Sequence, residues 1–242
     1  MPNPLRWVLS LVFIVQMYLA MVVAALVFAI PAILSRRAAY LAVRSYSNWV
    51  RLTARLLVGL KSEIRGEVPR GEVLIASKHQ SFFDIICLAS VLPEPKFIMK
   101  KELLWTPILG QYAMRIGCIP VDRGKKGAAI AKMKQDVAKA SQVPGQLIIF
   151  PQGTRVAPGA TLPYKVGAGI LYAQLAQPCI PVATNVGVFW PRHSLLRKPG
   201  LAVVEFLPAI PPGRSIGDFM RTVEAEIEPA SDKLMREAGF PL

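Results

Sequence analysis

Histidine is scarce in this chain of 242 residues: only His79 and His193 carry an imidazole, too few for a multi-histidine metal site. Cysteine is scarce as well. Cys87, Cys118 and Cys179 are odd in number, far apart and set in apolar runs, so neither a metal spacing nor a disulfide framework fits them. They read as three reduced, buried thiols in a reducing compartment. Acidic residues are absent before Glu63, and Asp and Glu total 15 against 29 Lys and Arg. The net charge of +14 favours an anionic partner: nucleic acid, anionic lipid or a phosphorylated substrate. No Gly-x-Ser-x-Gly elbow surrounds Ser81, which argues against a serine hydrolase. Gly124-Lys125-Lys126-Gly127 lacks the spacing of a nucleotide-binding loop. Lys132, Lys134 and Lys139 come with no nucleic-acid motif, so nucleic acid is not expected as a partner. There is no internal repeat and no low-complexity linker. The length suits one α/β domain plus an appendage.

Charge of either sign is missing from Trp7 to Ser35. Such a run is long enough for a membrane-embedded helix and exceeds the roughly 7–15 apolar residues of a cleavable signal. Pro31 is expected to end or kink it. Beyond it, Arg37, Arg44, Asn48, Arg51 and Arg55 fall on one narrow helical stripe, with Tyr46, Trp49, Thr53, Leu57 and Leu60 opposite. That pattern fits an amphipathic helix at a membrane interface, and equally a domain helix with a solvated basic face. Residues 1–61 are therefore expected to form a pair of membrane-anchoring helices, crossing the bilayer or buried as a hairpin in one leaflet. Residues 62–242 are expected to form the catalytic domain. Only Arg6 precedes the apolar run, so the arginine excess places the C-terminal side in the cytoplasm, on the inner membrane, with membrane lipids as partners.

Short apolar runs then alternate with helical patterns. Strands are expected at 73–76, 96–99, 118–121, 147–150, 180–183 and 202–206. Helices are expected at 82–92, 108–116, 128–140, 167–176 and from Ile216, where Ser215-x-x-Asp218 reads as a capping box and Pro229 as a break. This alternation predicts an α/β fold with a mixed, largely parallel sheet flanked by helices.

The stretch Lys78-His79-Gln80-Ser81-Phe82-Phe83-Asp84 lies between a strand and a helix. A turn there can fold the Asp84 carboxylate onto the His79 imidazole, fix its tautomer and leave the other ring nitrogen free to take a proton. Ser81-x-x-Asp84 is also a capping-box pattern, so Asp84 could instead serve only the helix. Three further stretches follow strands: Lys100-Lys101-Glu102-Leu103, Val121-Asp122-Arg123-Gly124 and Phe150-Pro151-Gln152-Gly153-Thr154-Arg155. Ligands of α/β sheets collect at the carboxyl ends of strands. His79, Lys100, Arg123 and Arg155 can thus converge on one cleft: a base beside three cations, suited to deprotonating a hydroxyl on a phosphate-bearing molecule.

In these blocks the chain resembles the 1-acylglycerol-3-phosphate acyltransferases, glycerolipid acyltransferases with a His-x4-Asp motif. The blocks match in order: His79 to Asp84, Gly117 to Arg123, Phe150 to Arg155, and Ile180-Pro181-Val182-Ala183, over roughly residues 60–210. The resemblance implies transfer of an acyl group from a thioester to the free hydroxyl of a lysophospholipid, giving phosphatidic acid. His79 would be the general base and Asp84 its orienting partner, with no covalent acyl-enzyme. Arg155, Gly153 and Thr154 would hold the acceptor phosphate, with Lys100 and Arg123 assisting. The thioester would be acyl-acyl carrier protein or acyl-coenzyme A as co-substrate, and neither metal nor cofactor is implied. The family usually has Glu where this chain has Gln152, which keeps the length and can still hydrogen-bond a glycerol oxygen. That departure leaves the acceptor open, with lyso-ornithine lipid as an alternative. An inactive membrane lipid-binding scaffold is a further alternative that an intact His79–Asp84 pair argues against.

Overall fold

The structure is a computed structural model and describes residues 4–122, 133, 135–137 and 144–242. It opens with three helices, α1 (Pro4–Val27), α2 (Ala29–Leu34) and α3 (Arg36–Val58). Strands β1 (Leu60–Arg65) and β2 (Val73–Ser77), helix α4 (Phe83–Val91), strand β3 (Pro95–Lys100), helix α5 (Leu109–Arg115) and strands β4 (Ile119–Val121) and β5 (Gln146–Ile149) follow. Helix α6 (Gly167–Leu175), strands β6 (Cys179–Thr184) and β7 (Gly200–Phe206) and the long helix α7 (Ile216–Glu237) complete the fold. The seven strands form one sheet in the order β1-β7-β6-β2-β5-β3-β4. All pairings are parallel except β6 with β7.

Strand β2 lies in the middle, between β5 and β6, and four of its five residues are buried. A central parallel strand is covered on both faces, which is why its sequence reads as an unbroken apolar run. Alternate residues feed opposite cores. Ile75 and Ile148 pack with Phe83 and Leu88 under α4, whereas Leu74, Ala76, Leu147 and Ile149 pack with Tyr172 and Phe219 under α6 and α7.

The expected strands are all present within a few residues. Strand β1 was not expected, because Leu-Lys-Ser-Glu-Ile-Arg is polar and reads as the tail of the preceding helix. It pairs only with β7 at the sheet edge, where half-exposed charged residues are tolerated. Helix α3 stops at Gly59, whose φ of +69° is the left-handed C-terminal conformation that favours glycine. The expected division at 61/62 therefore falls inside β1. The N-terminal helices are also not a separate unit: Phe13, Met17, Ala39, Tyr40, Val50 and Ala54 belong to the same buried cluster as Ile75 and Phe83. The helix expected at 128–140 lies largely outside the described residues.

Of two prolines, Pro31 breaks its helix as expected and Pro229 does not. The first break comes at Phe28, three residues ahead of Pro31, because a proline ring collides with the carbonyl four residues earlier, here that of Val27. Pro229, expected to end a helix, sits inside α7. Its buried face, Phe219, Val223, Ile227, Leu234 and Met235, holds the helix onto the sheet on both sides of the proline. Pro229 and Ala225 are both exposed, so the carbonyl that loses its partner can bond to water. A proline in a helix interior costs about 3 kcal/mol relative to alanine. Pro229→Ala is accordingly expected to raise the thermal midpoint by several degrees, read in a melting experiment; an unchanged or lower midpoint would mean that α7 needs the bend.

The arginine stripe of α3 is divided between the domain and the surface. Arg44 donates to the carbonyls of Leu92 (3.0 Å) and Pro93 (3.3 Å), at the C-terminal end of α4. Arg51 donates to the hydroxyls of Ser62 (2.8 Å) and Ser90 (2.9 Å). A cation at a helix C-terminus meets the negative end of its dipole. Arg37 and Arg55 remain exposed. On α1, by contrast, Leu5, Val8, Leu11, Val15, Leu19 and Leu26 are each more than half exposed. The amide residue in the middle of α1, Gln16, is satisfied by α3: its amide donates to Thr53 (2.9 Å), and Trp49 donates to its carbonyl (2.8 Å).

Candidate active site

At the carboxyl end of β2 the chain leaves the sheet, and Asp84 in the first turn of α4 folds back over it. Asp84 is 1% exposed, and one of its oxygens, Oδ2, takes three hydrogen bonds: from His79 Nδ1 (2.9 Å) and from the amides of Gln80 (2.7 Å) and Ser81 (2.8 Å). The two readings of Asp84 are therefore not exclusive. The carboxylate returns to the Ser81 amide as half of a capping box. The Ser81 hydroxyl, however, accepts from Phe83 N rather than from Asp84 N. A carboxylate only accepts, so Nδ1 carries the proton and Nε2 presents its lone pair. The imidazole is stacked on Phe150, with ring centroids 3.9 Å apart, which fixes its plane.

His79 and Arg155 share the wall of a cavity of about 320 Å³. Most of the remaining wall is apolar, with Met21 and Ala25 from α1, Ile86 and Ala89 from α4, Phe97 and Met99 from β3, and Tyr112 and Ile116 around α5; Ser47 of α3 also lines it. The base thus stands at a greasy slot whose far wall is built by the N-terminal helices. Cys118 also lines it, but burial pushes its thiol up to about 12, as it does those of Cys87 and Cys179. All three thiols are free and buried.

Strand β5 delivers the second group. Gly153, at φ +69°, turns the chain, and the Val156 amide bonds to the His79 carbonyl at 2.7 Å, joining the two strand ends. Arg155 is half-buried and makes no ion pair among the described residues. Its acidity is raised, first by burial and then by the nearby charge of Arg192. Arg192 donates to the Thr154 hydroxyl (3.4 Å) and the Arg155 carbonyl (3.5 Å). Two guanidinium groups without a carboxylate between them make a natural seat for a phosphate.

Two other expected members stand apart. Lys100 is exposed and pairs with Glu102 at 3.1 Å. Phe97 and Met99 face the cavity, and strand alternation turns Lys100 the other way. Gln152 is 3% exposed, and its amide donates to the Leu162 carbonyl (3.3 Å) and to Glu228 of α7 (3.4 Å). Its hydrogen bonds are spent inside the protein rather than offered to an acceptor. Arg123 lies outside the described residues.

The family model described as Acyltransferase matches residues 60–185, just over half of the chain. The chain belongs to the acyltransferase family. Among curated relatives, the 1-acyl-sn-glycerol-3-phosphate acyltransferase of Pseudomonas aeruginosa is 29% identical over 188 residues, 76% of this chain and 72% of the relative. The alpha form of the enzyme of that name from Mus musculus is 32% identical over 165 residues, covering 66% of this chain and 58% of its own length. The crystal structure of the 1-acyl-sn-glycerophosphate (LPA) acyltransferase PlsC from Thermotoga maritima superposes with a TM-score of 0.77 over 95% of this chain and 97% of that one. At 17% identity that likeness concerns the fold.

For an acyltransferase, three contributors to this site had no mark in the sequence. Arg192 follows Trp190-Pro191 in a loop with no pattern of its own, and it reaches Thr154 only through folding. The apolar slot is assembled from six separate segments. Glu228 stands in a helix read only for its cap and its proline, yet it contacts Lys78, Gln152 and Tyr164.

Proposed function

We propose that this acyltransferase transfers a fatty acyl group from a thioester to the free hydroxyl of 1-acylglycerol-3-phosphate, yielding phosphatidic acid. The observation that carries this reading is the common wall of the slot: a base with an open ring nitrogen, an arginine without an ion pair among the described residues and a mostly apolar lining. These match the acceptor hydroxyl, its phosphate and an acyl chain in turn.

Nε2 of His79 removes the proton of the acceptor hydroxyl as its oxygen attacks the thioester carbonyl. The C–O bond forms, the C–S bond breaks, and the imidazolium returns the proton to the departing thiolate. Asp84 holds the ring and stabilises its charged form. Among the described residues nearest the base, neither Ser81 nor a cysteine is a good nucleophile for a covalent acyl-enzyme. Ser81 is fully buried with its hydroxyl against Phe83 N, and burial holds the cysteines protonated. Arg155 and Arg192 hold the phosphate, and Gly153 makes the turn that presents Arg155.

The test is an acyl-transfer assay on the full chain in detergent, with lysophosphatidate and lyso-ornithine lipid offered side by side and acyl-acyl carrier protein or acyl-coenzyme A as donor. Phosphatidic acid is the expected product. Preferred acylation of lyso-ornithine lipid would replace the acceptor, and no transfer to either would favour a lipid-binding scaffold.

We further infer attachment to a membrane. Among the described residues α1 is the one helix long and apolar enough to cross a bilayer, with a mean hydropathy of 2.4 over its best window. Its 24 residues span about 36 Å, against a hydrocarbon core of about 30 Å. Arg37 and Arg55 stay on the side of the catalytic domain, which favours the cytoplasmic face of the inner membrane. The protein is expected to stay on membranes in high salt, because apolar burial is not screened as charge attraction is. Extraction by salt alone, followed by sedimentation, would sink the insertion. Removal of residues 1–61 is expected to give aggregate, since it strips Leu60 and the α3 contacts from the core.

A further inference from the structure

We propose that Glu228 is a positioning residue for acyl transfer: its one carboxylate ties the strand end that bears His79 to the turn that bears Arg155. The inference rests on the acyl-transfer reading above. Lys78, next to His79, is 2% exposed, and its ammonium bonds to both oxygens of Glu228, at 2.7 and 2.5 Å. Gln152, next to Gly153, donates to Oε1 of the same carboxylate at 3.4 Å. The Tyr164 hydroxyl donates to Oε1 at 2.8 Å. One oxygen of an α7 side chain is thus shared by three segments that come from β2, from β5 and from the stretch before α6.

A buried ammonium without a counter-charge is strongly unfavourable, so this carboxylate holds the Lys78 side chain, while the Lys78 amide is paired with the Val182 carbonyl at 2.9 Å. The neighbouring residue then inherits that placement. His79 has little freedom of its own: its carbonyl is held by the Val156 amide, and its ring lies between Asp84 and Phe150. A shift of the Lys78 end is passed along the backbone to His79, whereas Asp84 is anchored on α4, so the bond between Nδ1 and Oδ2 is what such a shift would strain. On the other side, the neutral amide of Gln152 is what a carboxylate at 228 permits, since two carboxylates at that distance would compete for one ammonium. Charge balance in this pocket consequently joins the group that moves the proton to the group that holds the phosphate.

The test compares the full chain with Glu228→Gln, Gln152→Glu and the double substitution Gln152→Glu/Glu228→Gln. Each is assayed for kcat and for both Michaelis constants, and each is followed in thermal melts. Glu228→Gln is expected to lower kcat about tenfold, as sub-ångström to ångström displacements of a base do. It is also expected to raise the Michaelis constant for lysophosphatidate and leave that for the thioester unchanged. A role in folding alone would reduce the active fraction and move neither constant. Gln152→Glu is expected to impair the enzyme as well, and the double variant, which leaves one carboxylate at the two positions, to recover most of the activity and the melting midpoint. Should Glu228→Gln fail to fold, a folded and active double variant still supports the inference, and a double variant no better than the singles overturns it. Unchanged kinetics of Glu228→Gln beside an active parent overturns this inference alone. A parent inactive on lysophosphatidate overturns the acyl-transfer reading and this inference with it.

Discussion

His79→Ala lowers the rate of acyl transfer by at least ~10²-fold, the low end for loss of a general base. Asp84→Ala does comparable damage, and the double variant is little worse than either single, because the two groups act as one unit. The geometry sharpens this expectation. Oδ2 of Asp84 serves the imidazole and two backbone amides at once, so alanine removes an orienting bond and a helix cap together. Asp84→Asn separates the two roles. Its side-chain oxygen can still accept from Gln80 and Ser81, so the turn should survive with a modest loss of stability. An amide does not stabilise an imidazolium as a carboxylate does, so activity should still fall steeply. Single-turnover rates and melting curves on the same preparations decide the matter. A folded Asp84→Asn with undiminished turnover would leave Asp84 as a helix cap and remove it from the reaction.

Arg155→Ala raises the Michaelis constant for lysophosphatidate, and the loss in kcat/KM is on the order of ten- to a hundredfold or more. A hydrogen bond to a charged group contributes roughly 1.5–3 kcal/mol. Arg155→Lys falls in between, because lysine offers a point charge where arginine offers a planar fork. Without an ion pair of its own, Arg155 is ready for an external anion, and burial strengthens that attraction. Arg192 beside it should share the load, so Arg192→Ala is expected to act in the same direction and more weakly from its exposed position. The Michaelis constant of the thioester should move little, since the acyl chain is held by apolar surface. Steady-state kinetics with both substrates varied is the measurement. If Arg155→Ala leaves lysophosphatidate use untouched, the phosphate assignment is wrong and an acceptor without phosphate becomes the better candidate.

Periodicity and chain order carried most of the architecture. The buried central strands announced themselves because a strand covered on both faces must be apolar throughout, and the strand–turn–helix setting of His79 and Asp84 needs only local chain. The edge strand β1 did not announce itself, since an edge facing water tolerates Lys61, Glu63 and Arg65. Pro229 stays helical because the buried face of α7 outweighs its local penalty, and that face is formed only by packing. The arginines of α3 are a different case. Their spacing was right, but a stripe of charge does not say whether a membrane, water or the end of another helix will meet it, and here the carbonyls of Leu92 and Pro93 do.

What the sequence by itself determined is therefore local: the α/β alternation, an uncharged N-terminal run and a base with an acid five residues away. Tertiary structure alone decided which of the three described strand-end groups, His79, Lys100 and Arg155, meet. Alternation along β3 turns Lys100 from the slot that Met99 lines, while folding brings Arg192 to Thr154 from a loop 38 residues later. It also decided that Gln152 serves Glu228 rather than an acceptor, because a side chain on a turn can point either way until α7 packs against it. Local pattern follows from backbone geometry within a few residues. Convergence depends on the packing of segments distant in sequence, and no single segment encodes its partner's position.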